Sequence, residues 1–188
     1  MCEQINGKMN FRFGMRKTEQ GWIGAAFSGR GPVCALLPRK SKTGAPARLR
    51  ERIAPATLTQ GPLKSSEDDF LEEYAAYFTG KIKRFSRKPD MILGSVFDQT
   101  VWKAAMSIPY GETRSYQWTA ERAGRPGAAR AVGGALGRNP LPIIVPCHRV
   151  IRSSGELGGF GSGIKWKRFL LELEKNPNSP EKRDIDIC

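Results

Sequence analysis

Histidine is almost absent from this sequence, which contains a single one, His148, among 188 residues. Because a structural zinc site needs a local cluster of cysteine and histidine ligands, the sequence predicts no metal site. The cysteines are also few, and no two of them form a CxxC pair: Cys2, Cys34, Cys147 and Cys188. A disulfide framework is therefore not expected, and a reducing compartment fits the composition.

The sequence also lacks a long apolar run and an N-terminal signal peptide. No stretch approaches the roughly 20 apolar residues of a transmembrane helix, and the chain opens on polar residues. We therefore expect no membrane contact and a cytoplasmic protein, or a nuclear one if the source is eukaryotic. Hydrophobic residues make up 39% of the chain, which supports one large packed domain or two small ones.

Acidic residues are scarce, with 18 Asp and Glu against 31 Lys and Arg, which gives a net charge of +13. Such a surface attracts polyanions, and nucleic acid is the usual one. A surface charged only for solubility usually balances the two signs, so the excess favours a nucleic-acid partner. Basic residues are concentrated between Arg39 and Arg52. We interpret that segment as an exposed loop, either merely solvated or close to DNA.

Residues 1–88 are predicted to form an N-terminal α/β domain with a small antiparallel sheet. The alternation from Asn10 to Leu37, interrupted by turns, indicates an antiparallel meander. Ser66 is expected to cap a helix that ends near Gly80, and the basic segment 81–90 is the expected linker. The helix carries an apolar stripe for the core, namely Phe70, Leu71, Tyr74, Tyr77 and Phe78.

Residues 89–176 are predicted to form a mainly helical domain, and 177–188 a disordered tail, so that the whole is an α+β fold. Ser95 opens the first helix of this domain. Two short helices follow at about 115–123 and 128–137. The glycine-containing turn between them indicates a helix-turn-helix.

The second helix of that pair is unusually poor in large side chains. Its one arginine is Arg130, and it lacks the Asn and Gln residues with which a major-groove helix reads base edges. Ala128 and Ala129 would let it enter a narrow groove, so it is predicted to dock in the minor groove without sequence preference. Gly133 and Gly134 each cost a helix about 1 kcal/mol relative to alanine, which close packing against another helix would offset.

The chain is organised around the stretch from Ile143 to Ile151, an apolar run that delivers Cys147 and His148 in succession. Because Pro142 and Pro146 bound its first part, we predict buried, strand-like structure there. The thiolate is the reactive form of cysteine, and an adjacent imidazole makes it easier to form. A free cysteine is nevertheless usually a small buried hydrophobe, so the pair alone does not identify a nucleophile.

Several motifs, in the right order, resemble the O6-alkylguanine-DNA alkyltransferases, the methylated-DNA–protein-cysteine methyltransferases. They are Arg130-Ala-Val-Gly-Gly-Ala, Asn139-Pro140 and Pro146-Cys-His-Arg-Val, and the resemblance runs from about Ser95 to Glu174. It implies a ribonuclease H-like first domain and a winged-helix-like second domain. It also implies single-turnover DNA repair by a monomer on double-stranded DNA, without a cofactor. The alkyl group would pass from O6-alkylguanine, and from O4-alkylthymine, to the cysteine.

The resemblance implies a role for each matching residue. Cys147 would accept the alkyl group, and His148 would take the thiol proton through a water. Glu174 would orient the histidine, with Glu172 as the nearby alternative, and Asn139 would brace the turn before the cysteine.

For DNA, the resemblance implies that Tyr116 crowds a phosphate and donates to the guanine. Arg130 would fill the gap left by the extruded base, since a carbon on O6 inside a duplex cannot meet a thiolate. Lys167 would play a supporting part. The other implied DNA contacts are Ala128, Ala129 and Gly133. The implied substrate pocket consists of Tyr116, Val150, Phe160, Gly161 and Ser162.

Two positions depart from the family pattern. Some relatives carry a serine where this chain has Gly161, and a glycine is common at the position of Ser162. These departures leave the range of substrates open, whereas the reaction itself does not depend on them.

Three other interpretations fit parts of the sequence. A cysteine hydrolase would use Cys147 with His148 but leaves the charge and the helix-turn-helix unexplained. A DNA-binding sensor related to the family would lack transfer activity, but such relatives replace the cysteine. A transcriptional regulator would need base-reading residues that 128–137 lacks. Incubation with O6-benzylguanine, followed by intact mass, separates all three.

Overall fold

The computed structural model describes residues 4–5 and 8–176, which form two compact units of α+β architecture, as predicted. One unit ends at Leu93 and the other begins at Gly94. Cys2, Cys188 and the predicted tail 177–188 lie outside the described residues. Among the described helices, none has the length and apolar character needed to cross a membrane.

The first unit is built on a five-stranded sheet. The predicted meander is confirmed in the antiparallel neighbours β1 (Gln4–Ile5), β2 (Lys8–Thr18), β3 (Gly21–Phe27) and β4 (Pro32–Arg39). β5 (Thr57–Gln60) pairs with β2 in parallel, so the sheet is mixed and the prediction of a purely antiparallel sheet is wrong. A parallel neighbour needs a long crossover connection, and the sequence analysis missed the helix that precedes β5.

That helix lies in the basic segment that was predicted to be a loop. α1 (Gly44–Ile53) buries every fourth residue, namely Ala45, Leu49 and Ile53, in a cluster with Phe11 and Phe13 of the sheet. The loop prediction for residues 39–52 is therefore wrong for most of that segment. The apolar stripe is narrow, and the basic residues between its members masked the helical spacing.

α2 (Ser65–Tyr77) covers the other face of the sheet, and its predicted apolar stripe is buried. The helix begins two residues earlier than predicted, with Lys64 at the N-cap position instead of Ser66. Its first turn is closed by Glu67, which accepts a hydrogen bond from the backbone N–H of Lys64 at 2.9 Å, and Ser66 is not its cap. Gly80, with a φ of +71°, follows the helix end as expected.

The predicted linker, residues 81–90, contains no helix or strand and packs on the first unit. Phe85 stacks on Tyr77, with the ring centroids 5.8 Å apart. Asp90 is buried and accepts hydrogen bonds from Ser28 and Arg30. The assignment of residues 1–88 and 89–176 to separate domains stays a prediction.

The second unit is mainly helical. It contains α3 (Val96–Met106), α4 (Tyr116–Arg122), α5 (Ala129–Gly137) and α6 (Ile164–Lys175), with one parallel pair of short strands, β6 (Arg114–Ser115) and β7 (Val150–Ile151). As predicted, Ser95 caps α3 by accepting from the N–H of Asp98, and α4 and α5 form the helix-turn-helix. Gly124 and Gly127 have φ values of +69° and +82° in the turn between them.

α5 is held by α3. The indole of Trp102 donates to the carbonyl of Ala135 at 2.9 Å, and Arg138 binds Asp98 at 2.6 Å. A Cβ built at Gly133 would lie 3.8 Å from the Tyr116 ring, and one at Gly134 would lie 3.4 Å from Arg138. Both positions have room for a methyl group, so the predicted close packing against another helix does not explain these glycines.

The stretch around Cys147 is buried as predicted, but the prediction that it is strand-like is wrong for most of its length. Pro142 and Val145 form a single β-bridge, residues 147–149 form a 3-10 turn, and only Val150–Ile151 is a strand. Pro146 has no N–H to give to a neighbouring strand, so the chain turns instead.

We predict that Asp98→Ala destabilises the chain by about 1–3 kcal/mol, the usual cost when buried partners lose their hydrogen bonds. Asp98 is 5% exposed and accepts from the N–H of Ser95 and from the guanidinium of Arg138. Urea denaturation of the variant and the wild type measures the difference. As a control, Arg138→Gln removes a partner whose side chain is 61% exposed, and should cost less than about 1 kcal/mol. Equal losses in the two variants would contradict this account.

Candidate active site

The turn that carries Cys147 is fixed by Asn139, which follows α5. The Asn139 side chain accepts a hydrogen bond from the N–H of Leu141 and donates to the carbonyl of Val145, both at 2.9 Å. The same amide donates to the sulfur of Cys147 at 3.1 Å. Asn139 therefore braces the turn and also supplies a donor to the sulfur, which favours its thiolate form.

His148 and Glu174 form a fully buried pair. Nε2 of His148 lies 2.6 Å from Oε1 of Glu174, and neither side chain is exposed. Glu172, the alternative partner, is exposed. The structure thus brings together the histidine next to the cysteine and the carboxylate in the last turn of α6.

Arg149 is the residue that sequence reasoning missed. Its guanidinium binds the Glu174 carboxylate with its Nε at 2.9 Å and donates to the carbonyl of Ile108 at 2.7 Å. The backbone N–H of Gly111 also donates to Glu174, at 2.9 Å. A signal was present in the sequence, because an arginine inside an apolar run is buried only when it is paired.

These contacts set the charge states of the pair. Burial raises the pKa of Glu174, but hydrogen bonds and charges from His148 and Arg149 outweigh it and lower that pKa to about 2. Burial lowers the pKa of His148 more than Glu174 raises it. The pair therefore holds a carboxylate and a neutral imidazole at neutral pH.

The proton of the neutral imidazole lies on Nε2, because that nitrogen faces the carboxylate oxygen. Nδ1 is buried and has no hydrogen-bond partner among the described residues. It is consequently the basic nitrogen of His148, and it can take up a proton.

Lys167 connects three elements that surround the site. Its ammonium group is fully buried, donates to the carbonyl of Val150 at 2.6 Å and of Gly159 at 3.3 Å, and lies 5.7 Å from the centroid of the Tyr116 ring. Burial lowers the pKa of Lys167 to about 8. One side chain thus joins β7, the glycine-rich loop of residues 158–163 and α4.

Tyr116 lies at the start of α4 and is half-buried. Burial raises the pKa of its hydroxyl, and Cys147 acts in the same direction, so the hydroxyl stays protonated at neutral pH. A Cβ at Gly158 would lie 3.0 Å from that hydroxyl oxygen, and the φ of this residue is +67°. The loop therefore requires a glycine where it passes Tyr116.

The remaining predicted residues lie on the surface around this network. Arg130 is exposed and has no ion-pair or hydrogen-bond partner among the residues that the structure describes. Ala128, Ala129 and Gly133 are partly exposed on and beside α5. In the glycine-rich loop, Phe160 and Ser162 are half-buried, while a Cβ at Gly161 would lie 3.4 Å from the carbonyl of Gly137. The roles of these residues stay predictions.

Within the described ranges, no three side chains of metal-binding type lie together. What the arrangement offers instead is a thiol beside an amide donor, a basic imidazole nitrogen oriented by a carboxylate, and a protonated phenol. These are the parts of a cysteine nucleophile with its base and the group that orients the base.

The chain is similar in sequence to proteins of one family. The family described as 6-O-methylguanine DNA methyltransferase, DNA binding domain, matches residues 96–176. A methylated-DNA–protein-cysteine methyltransferase of Mycobacterium bovis is 46% identical over 149 residues, which are 79% of this chain and 84% of the relative. Its counterpart in Mycobacterium leprae is 44% identical with the same coverage of both chains.

Solved structures show the same relationship. The crystal structure of Mycobacterium tuberculosis OGT in complex with DNA has a TM-score of 0.70 and 40% identity, and the match covers 90% of this chain and 94% of that chain. The O6-methylguanine-DNA methyltransferase of the archaeon Pyrococcus kodakaraensis has a TM-score of 0.67 and 28% identity, covering 87% and 98%.

We predict that the free energy of unfolding decreases as the pH is lowered below 6.5, the ordinary pKa of a histidine. His148 is the single histidine, and the folded chain holds its proton less readily than the unfolded chain does. The unfolded chain therefore binds more protons in this range, which gives a slope of at most about 1.4 kcal/mol per pH unit.

Urea denaturation between about pH 5 and pH 7.5, above the range in which ordinary carboxylates titrate, measures this slope. His148→Gln should remove it. An equal decline in the variant would show that His148 is not its source.

Proposed function

Because this chain belongs to the methylated-DNA–protein-cysteine methyltransferase family, we propose that it repairs DNA by moving an alkyl group onto its own Cys147. The observation that carries the proposal is the buried network in which Asn139 donates to the sulfur of Cys147 and Glu174 orients His148. This network lies in the same compact unit as a helix-turn-helix. The alkylated cysteine is the end product, so each chain reacts once and no cofactor is required.

The reaction is a displacement at the alkyl carbon of O6-alkylguanine. Nδ1 of His148 takes the thiol proton, directly or through a water, and the sulfur of Cys147 then forms a bond to the alkyl carbon. The carbon–oxygen bond breaks, and guanine leaves with the electron pair. Tyr116, whose hydroxyl is protonated, is the donor to the leaving base, and Glu174 stabilises the imidazolium.

The candidate element for contact with DNA is α5. Gly133 and Gly134 have room for a methyl group inside the fold, so packing within the chain does not explain them. Small side chains suit a narrow groove, and the helix also presents Ala128 and Ala129 at its start. We propose that α5 docks in the minor groove of double-stranded DNA, with the net charge of +13 favouring the encounter. A relative from Mycobacterium tuberculosis was crystallised in complex with DNA.

The damaged base must leave the stack to reach Cys147, because a thiol buried in the protein cannot enter the duplex. Cys147 is only 8% exposed. Arg130, exposed on α5 without a partner among the described residues, is the proposed side chain that fills the vacated space. O4-alkylthymine has the same kind of alkyl–oxygen bond and is a second substrate of the proposal. Since one chain supplies every group of the site, a monomer suffices.

We predict that incubation with DNA containing O6-methylguanine adds one methyl group to the chain, on the peptide that contains Cys147. The reaction should stop at one equivalent, because nothing in the site removes the product. Intact mass and peptide mass spectrometry measure the stoichiometry and the position. Cys147→Ser should abolish the labelling. Turnover beyond one equivalent, or labelling of Cys34 instead, would overturn the proposal.

We predict that Arg130→Ala slows repair of duplex DNA by about tenfold to a thousandfold, on a scale of about 1.4 kcal/mol per decade, because extrusion of a base costs a few kcal/mol. Its reaction with free O6-benzylguanine should stay nearly unchanged, since the free base needs no extrusion. Single-turnover rates with the two substrates measure the difference.

The melting temperature of Arg130→Ala serves as the control for folding. An equal loss on duplex and free base, together with a lower melting temperature, would mean that Arg130 stabilises the fold and does not take part in extrusion.

A further inference from the structure

Positively charged side chains form a row on the sheet of the first unit. Lys17 of β2 pairs with Trp22 of β3, and Trp22 pairs with Arg39 of β4. Residues that are directly opposite on antiparallel strands project from the same face of a sheet. Lys42, which follows β4, places its ammonium group 4.9 Å from the centroid of the Trp22 ring. We call Lys17, Trp22, Arg39 and Lys42 the cationic row.

An irregularity in β4 places Arg39 in this row. Gly24 pairs with Leu36 and Trp22 pairs with Arg39. Between these two pairs β4 has two residues and β3 has one, which is a β-bulge. Without this bulge the alternation of side chains would turn Arg39 to the opposite face of the sheet, because one extra residue inverts the pattern. The bulge therefore places Arg39 on the same face of the sheet as Lys17 and Trp22.

The three cations of the row lack acidic partners in the part of the chain that the structure describes. Lys17, Arg39 and Lys42 are all exposed. Two other basic residues of β2 do have acidic partners, since Arg12 and Arg16 bind carboxylates of α2. Like charges gathered without counter-charges repel one another, and a bound polyanion removes that cost.

We propose that the cationic row binds the phosphates of a DNA strand and is a second DNA contact of this protein, separate from α5. The proposal rests on the proposed function, which supplies the DNA. The row crosses three strands, so it spans two spacings of about 4.8 Å, or roughly 10 Å. Phosphates repeat about every 3.4 Å along the axis of one DNA strand, so about three of them match the three cations.

The surroundings of the row favour DNA over a lipid surface. Peripheral membrane proteins combine basic side chains with apolar anchors that enter the bilayer. The exposed large hydrophobic residues of the described chain are Val96, Met106 and Ile164, and all three lie outside the first unit. Trp22, the apolar member of the row, is half-buried and has the ammonium group of Lys42 over its ring, so the cationic row offers charge without a projecting anchor, which suits a phosphate backbone.

Two matched triple variants of the full chain test the proposal. One carries Lys17→Gln, Arg39→Gln and Lys42→Gln in the row. The control carries Lys81→Gln, Arg84→Gln and Lys88→Gln, which removes the same three charges from exposed positions of the same unit.

The affinity of each variant for undamaged duplex DNA is measured by fluorescence anisotropy over a range of salt concentrations. The row variant should lose about 2–3 from the magnitude of the slope of log K against log salt, at about 0.9 per phosphate contact, and about tenfold or more in affinity at low salt. The control should keep the slope of the wild type. Both should react with free O6-benzylguanine at the wild-type rate, because that reaction needs no DNA.

Equal slopes in the two triple variants would overturn the proposal. So would a row variant that keeps its DNA affinity but loses binding to phosphatidylserine vesicles or to an acidic protein. If the wild type does not take up a methyl group from DNA containing O6-methylguanine, the proposed function fails, while the slopes still decide whether the row binds DNA. If the triple variant melts early, Lys17→Gln and Arg39→Gln are tested singly, each with an expected loss of about 0.9 in slope.

Discussion

The buried carboxylate of Glu174 is the constraint on which the second unit depends. A charge inside a protein is tolerated only when it is paired and hydrogen-bonded, and here the partners come from distant parts of the chain. His148 and Arg149 belong to the turn that carries the cysteine, and the N–H of Gly111 belongs to the loop after α3. The same carboxylate therefore closes the fold and fixes which nitrogen of the imidazole is basic.

The position of Cys147 follows from two sets of contacts that meet at the turn. On one side Asn139 ties the turn to the end of α5, and on the other Arg149 and His148 tie it to α6. Because the helix proposed to meet DNA leads directly into the brace of the cysteine, a displacement of α5 is transmitted to the sulfur through a few bonds. The proposed DNA-binding helix and the proposed nucleophile are therefore joined through Asn139.

Local signals made much of this structure predictable. The caps at Ser95 and Ser115 are complete within four residues, so the starts of α3 and α4 could be placed from the sequence alone. The wide aromatic stripe of α2 was equally clear. α1 was missed because its stripe is thin, with alanine at its first position and basic residues around it. The turn at Cys147 was mistaken for a strand because an apolar run does not distinguish the two when a proline interrupts it.

The candidate site, like the fold, was only partly predictable from the sequence. The adjacency of Cys147 and His148 is visible in the sequence, and their match to a known family pointed to Asn139 and Glu174. An arginine inside an apolar run signals a paired charge, but the partner of Arg149 could not be identified, because Glu174 lies 25 residues further along the chain and no local pattern joins them. Likewise, the row of Lys17, Trp22 and Arg39 depends on strand register and on a bulge, which only the folded sheet reveals.

The place of Glu174 along the chain has a consequence for the order in which a ribosome delivers the parts. The helix-turn-helix and the cysteine are synthesised first, and the carboxylate follows in the last turn of α6. Until that turn emerges, Arg149 has no counter-charge, and the imidazole of His148 is not oriented. A nascent chain that already carries Cys147 and His148 therefore lacks an oriented imidazole, and a chain that is interrupted before this turn keeps both residues without the carboxylate that orients the histidine.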